Sequence, residues 1–205
     1  MKPQFIPPFS FSYVEKDVFR GAYPVSLNFE FLKTLHLKTM ISLVPNSIDD
    51  DLKKFCQEEG ITNHYYSVPK FASQIIITAT TITEIIHIMC NNDNLPLYIH
   101  CLDGGHTSGL VVMCLRKLQM WSARAMFNEF NMFINNYESC EEEFVNNYKA
   151  TFELSPNRPQ WLQHLNGKKT HPTLRVILTD EAESDDDDND DAASDAEEAT
   201  DEAPQ

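Results

Sequence analysis

Apolar positions along the chain switch between a period of two and a period near 3.6, and the switches mark the elements. Phe9–Pro24 alternates apolar and polar around Glu15-Lys16-Asp17, which predicts a hairpin bending at those charges. Ser26 is placed as the cap of a helix reaching about His36, with Leu27, Phe31, Leu32 and Leu35 on one face. Lys38–Val44 is a strand stopped by Pro45-Asn46. Ser47 with Asp50 is read as the capped start of a helix whose inner face is Leu52, Phe55 and Cys56, with Gly60 closing it. Ile61–Val68 is the next strand and Pro69–Ile77 a loop. Thr81 with Glu84 opens a helix over Ile82, Ile85, Ile86 and Met89 that ends near Asn91-Asn92. Pro96–His100 is a short buried strand and Cys101–His106 a tight loop. From Thr107 the residues Leu110, Val111, Cys114, Leu115 and Leu118 recur at helical spacing. Ser122 then caps a helix with Met126, Phe127, Phe130, Phe133 and Ile134. Ser139 with Glu142 opens another with Phe144, Val145 and Tyr148. Strands and helices in this order predict an α/β fold, a sheet with helices packed on it.

The ends read differently. Residues 1–8 hold three prolines and no period, so they are expected to form a flexible arm. Residues 9–155 are one globular unit and 156–179 an extension in which Trp161-Leu162 docks on the body. Thr173–Leu178 has strand composition and could equally pair with a partner. Residues 180–205 carry 14 of the 31 acidic residues and no Lys or Arg, a composition expected to stay disordered. Ser184 and Ser194 lie there in acidic surroundings that suit an acidophilic kinase.

That tail changes the meaning of the net charge of −15. The other 179 residues carry 16 basic and 17 acidic side chains, so the body is nearly neutral. It has no basic stripe and no zinc-ligand spacing, which excludes a nucleic-acid footprint and a metal site as expectations. Five cysteines without CxxC spacing suit reduced thiols. No leader pattern and no apolar run of about 18 residues is present, so a cytoplasmic protein without membrane contact is expected.

The chemistry concentrates in HCLDGGHTSG, residues 100–109. A strand, a glycine-rich loop and a helix N-terminus converge backbone N–H groups and the positive end of a helix dipole on one point. A cysteine at the start of such a loop has its thiolate stabilised. With Phe19-Arg20-Gly21 and Cys114-Leu115-Arg116-Lys117-Leu118, this stretch resembles the plant and fungal atypical dual-specificity phosphatases, over about Phe9 to Ala150. Within them it is most similar to divergent fungal paralogues linked by name to oxidant-induced cell-cycle arrest.

The resemblance implies the cysteine-phosphatase fold for residues 9–155, a central, mostly parallel sheet flanked by helices. It implies Cys101 in the nucleophile position and a phosphate loop of His100, Leu102, Asp103, Gly104, Gly105, His106, Thr107 and Ser108. His100 would order the loop, and Ser108 would assist breakdown of a phosphocysteine. No cofactor is implied. The family's arginine, six positions after the cysteine, is replaced by Thr107, and its basic loop residues by Leu102, Asp103 and Gly105. Asp103 would repel an incoming phosphate and raise the Cys101 pKa. The loop where the family carries its general acid has no Asp or Glu from Asn63 to Thr83; Lys70 is its one charge. Arg20 is expected in a structural salt bridge. Arg116 and Arg124 are candidates for replacing the missing guanidinium.

Together these imply a catalytically impaired member acting as a subunit or regulator with related paralogues, a hetero-oligomer. The rivals are a slow phosphatase acting on phosphotyrosine or an inositol pyrophosphate, and a module that traps phosphate without hydrolysis.

Overall fold

The computed structural model describes residues 5–72, 74–134, 138–165 and 169–179. The predicted acidic tail, with Ser184 and Ser194, lies outside the described residues.

Five strands form the central sheet: β1 (Ser12–Glu15), β2 (Val18–Ala22), β3 (Thr39–Val44), β4 (Thr62–Ser67) and β5 (Leu97–Cys101), in the order β1-β2-β5-β3-β4. The β1–β2 hairpin is antiparallel and the remaining pairings are parallel. A parallel sheet is covered on both faces, and its central strands read as continuous apolar runs. Every residue of β2, β3 and β5 is buried accordingly. Side chains alternate between the faces. Met40, Val44, Phe19 and Tyr98 pack with Leu32 of α1 (Phe29–Lys33) and with Leu52, Phe55 and Cys56 of α2 (Asp50–Glu58). Ile41, Leu43, Leu97, Ile99 and Cys101 face the larger cluster. That cluster is built with α3 (Ala79–Met89), α4 (His106–Leu118), α5 (Ala123–Asn131) and α6 (Ser139–Asn147).

Several helix starts fall beside the expected residue, because neighbouring oxygens compete for the same free N–H groups. Asp49, not Ser47, caps α2 by accepting from the Leu52 N–H, and Thr78, not Thr81, caps α3 by accepting from the Thr81 N–H. The α6 start uses Glu141, whose carboxylate accepts from the Glu138 N–H. Ser122 caps α5 as expected. Ser26 opens only a short 3-10 turn, its expected capping role taken by Asn28, whose side chain accepts from the Val25 N–H. Leu27, expected inward, is 60 % exposed.

Asn28 also donates to the carbonyls of Ile6 and Pro7, which fastens the end of the expected arm. At the other end, Leu174–Leu178 (β7) pairs in parallel with a strand the apolar pattern did not reveal, Ala150–Leu154 (β6). Phe152, Leu154, Leu162, Leu165, Leu174 and Val176 from this region are buried in the larger core. No helix among the described residues is long and apolar enough to cross a membrane.

Candidate active site

The site lies at the carboxyl end of the parallel strands, where open α/β sheets place their ligands. β5 runs between β2 and β3 and sets His100 beside Gly21 and Ser42, and Cys101 beside Ala22. The chain then turns through Leu102–Gly105 into α4. Gly104 makes that turn possible. Its φ is +75°, and a Cβ there would sit 2.6 Å from the Gly21 carbonyl carbon and 2.7 Å from the Ala22 nitrogen. The loop therefore lies directly on the backbone of β2.

Cys101 is buried, with its Sγ 3.3 Å from the Ser108 Oγ and 3.4 Å from the Asp103 Oδ1. Burial raises the thiol pKa above its ordinary value. Hydrogen bonds from Ser108 oppose that rise, and the Asp103 carboxylate adds to it. Burial thus acts against the thiolate stabilisation that the strand–loop–helix pattern suggests, while the Ser108 hydrogen bonds act for it. Asp103 acts in the expected direction. Its Oδ1 accepts the Gly105 N–H at 2.9 Å, one of the donors expected to face phosphate.

His100 is wholly buried behind the cysteine, its Nε2 2.8 Å from the Ser42 Oγ, which also accepts from the Asn63 amide at 2.7 Å. Burial lowers its pKa to about 3, so the ring is neutral at physiological pH. Tyr23 meets the same ring edge-on at 5.2 Å. His106, the first residue of α4, binds the Glu141 carboxylate at 2.8 Å and stacks on Phe71 at 4.2 Å. The loop that lacks a general acid is thus held over the cradle by a ring. Glu141 is buried and occupied by His106 and the Glu138 N–H. Neither Phe71 nor Glu141 was singled out for the site from sequence; both look like ordinary core or capping residues there.

Thr107 faces the cleft with Pro69, Lys70, Phe71, Leu102 and Asp103. The cleft beside Cys101 is narrow and is walled by Leu43, Val68, Pro69, Phe71 and Thr107. The larger cavities, about 490 and 540 Å³, are lined by residues of other regions.

Arg20 makes no salt bridge among the described residues. Its Nη2 donates to the carbonyls of Gly104 (2.7 Å) and Gly105 (3.1 Å), and its guanidinium lies 4.0 Å over the Phe133 ring. The register of β2 against β5 aims it under the loop instead of at a carboxylate. Arg116 is also committed, to Glu15, Glu129, Gln119 and the Val14 carbonyl. Arg124 sits exposed in the first turn of α5. Among the described residues no cluster of His, Cys, Asp or Glu suits a metal ion.

A parallel sheet that delivers a His-Cys pair into a glycine loop at a helix N-terminus, with a serine hydroxyl on the sulfur, defines the cysteine-phosphatase class. The chain belongs to the tyrosine phosphatase family, whose model matches residues 5–166. It is 33 % identical over 165 residues to "Probable tyrosine-protein phosphatase DG1060" of Dictyostelium discoideum, covering 77 % of this chain and 96 % of that protein. It is 29 % identical to "Putative tyrosine-protein phosphatase OCA6" of Saccharomyces cerevisiae, covering 73 % of each. "Inositol diphosphatase SIW14" of the same yeast is 30 % identical over 71 % of this chain and 53 % of that protein. The crystal structure of the SIW14 core catalytic domain in complex with citrate superposes with a TM-score of 0.66, at 30 % identity, over 71 % of this chain and 89 % of that one.

Proposed function

We propose that this protein is a phosphatase-family member that has lost efficient turnover and serves as a subunit or regulator in a complex of related paralogues. The observation that carries the reading is Thr107, six residues after Cys101, with Arg20 and Arg116 both bonded elsewhere. A guanidinium in that position gives two charged hydrogen bonds to the transferring phosphoryl group; a threonine gives at most one neutral bond. Losing one partner of a buried charged pair costs about 2–5 kcal/mol. At 1.36 kcal/mol per tenfold, this is roughly 30- to several-thousand-fold in rate. The Pro69–Ile77 loop supplies no acid to protonate a leaving oxygen, which adds a second independent loss. Two curated relatives named inositol diphosphatases, from Arabidopsis thaliana and Saccharomyces cerevisiae, suggest inositol-pyrophosphate signalling as the setting. The free cysteines suit a reducing compartment, which favours the cytoplasm.

A second reading, a slow phosphatase acting on phosphotyrosine or an inositol pyrophosphate, rests on the surviving Cys101–Ser108 contact. Two experiments separate the readings. Tagged full-length protein and its Cys101→Ser variant are each co-purified with related paralogues, and the subunit reading expects the same assembly from both. Phosphate release is then measured for wild type, Cys101→Ser and the double variant Asp103→Gly/Thr107→Arg, with no difference expected between the first two and a gain of at least tenfold expected in the third. Loss of the assembly in Cys101→Ser, or turnover by wild type that Cys101→Ser abolishes, overturns the subunit reading.

A further inference from the structure

We infer that the cradle is an oxyanion site closed by the protein's own Asp103, whose carboxylate takes the place of an external anion above the buried Arg20. The inference rests on reading this loop as a lapsed phosphatase site. It adds what now fills the site and which ligand class returns when the filling is removed.

Two observations on opposite sides of the loop support it. Beneath lies Arg20, 1 % exposed, with Nη2 on the Gly104 and Gly105 carbonyls and with Nε and Nη1 lacking a hydrogen-bond partner among the described residues. A cation this buried, with no carboxylate at bonding distance among the described residues, is left with through-space counter-charges only, Glu129 and, more weakly, Asp103 of the loop. By holding two glycine carbonyls on its own side, it leaves the N–H groups of the same turn for the other side. Above lies Asp103, with Oδ1 on the Gly105 N–H at 2.9 Å and 3.4 Å from the Cys101 Sγ. That is the place of an oxyanion in a cysteine-phosphatase cradle: on a backbone donor and against the sulfur.

The ligand class that fits the emptied cradle is a tetrahedral oxyanion, and tungstate is the probe. Binding is measured by calorimetry on the full chain for wild type, Asp103→Asn, Asp103→Gly and Thr107→Arg, with thermal melting to confirm folding. Wild type is expected to bind tungstate at least tenfold more weakly than both Asp103 variants. Tungstate is also expected to protect Cys101 from alkylation in those variants and not in wild type. Unchanged affinity in both Asp103 variants overturns the inference, as does an equal gain in Thr107→Arg with Asp103 in place. Neither result depends on turnover. Hydrolysis by wild type would instead overturn the reading of the loop as lapsed.

Discussion

Two arginines are buried in this protein to nearly the same degree, and their surroundings have little in common. Arg116 is fully paired. Its guanidinium takes Glu129 through two nitrogens at 2.8 Å and Glu15 at 2.5 Å, then the Val14 carbonyl and the Gln119 side chain, and it stacks 4.2 Å over Trp121. These partners come from β1, α5 and the turn that follows α4, so the network ties the hairpin to the helical layer. The carboxylates more than offset burial and raise its pKa. Arg20 has carbonyls and one ring, and burial lowers its pKa to about 10. The difference separates a structural staple from a charge whose field falls on the phosphate loop. A satisfied buried ion supports the fold, whereas a half-satisfied one marks the place where a ligand, or a substitute for one, belongs.

The largest effect that tests this contrast is expected from Arg116→Met. It strands two carboxylates that are only about one-fifth exposed, so denaturant unfolding is expected to show a loss of about 3–5 kcal/mol. A loss below 1 kcal/mol would remove Arg116 as a staple. Arg20→Met is expected to cost less, about 2 kcal/mol, since it removes the burden of a buried charge while leaving two buried carbonyls without a donor. Equal losses for the two variants would erase the distinction.

His100 sharpens the comparison from the other side of the loop. Its folded pKa near 3 lies below the unfolded value of 6.5. The sign follows: the unfolded chain takes up a proton first, so this stability is present above pH 6.5 and is lost as pH falls from 6.5 toward 3. The expected slope is about 1.4 kcal/mol per pH unit in that window. His100→Gln is expected to flatten the measured dependence by one proton, and an unchanged slope would show that His100 titrates normally in the fold. The smallest effect concerns Cys101. Burial and Asp103 keep its thiol protonated, so alkylation at pH 7 is expected to run slower than for an unfolded control peptide and to accelerate severalfold in Asp103→Asn. A wild-type rate above that of the peptide would contradict the burial account.

Much of this architecture was legible in the sequence because its signals are local. The hairpin bending after Glu15, the apolar runs of β3 and β5, and the Cys101 loop opening α4 stand where residue pattern places them. What failed locally depended on choice between near-equivalent partners. Asp49 and Thr78 displaced Ser47 and Thr81 as caps because each start offers several side-chain oxygens within one turn. What failed globally depended on partners far along the chain. The strand at Ala150–Leu154 is only five residues long, and its partner β7 begins twenty residues after it ends. Arg20 reads as a partner in a structural salt bridge until the β2–β5 register places it beneath Gly104, more than eighty residues away. In the candidate site, His100 and Cys101 were visible as a match to a motif, and Asp103 and Thr107 as departures from it. The Phe71–His106–Glu141 stack was not, because nothing in the composition of those residues signals that three separate elements meet there.

The measurement that tests the central claim most directly is single-turnover phosphate release, with protein in excess over a phosphotyrosine peptide and, separately, an inositol pyrophosphate. Wild type is run beside Cys101→Ser. The account predicts that the two proteins release phosphate at indistinguishable rates, since Thr107 stands where a guanidinium is needed, the Pro69–Ile77 loop carries no acid, and Asp103 lies against the sulfur. A burst of phosphate from wild type that Cys101→Ser abolishes would contradict it.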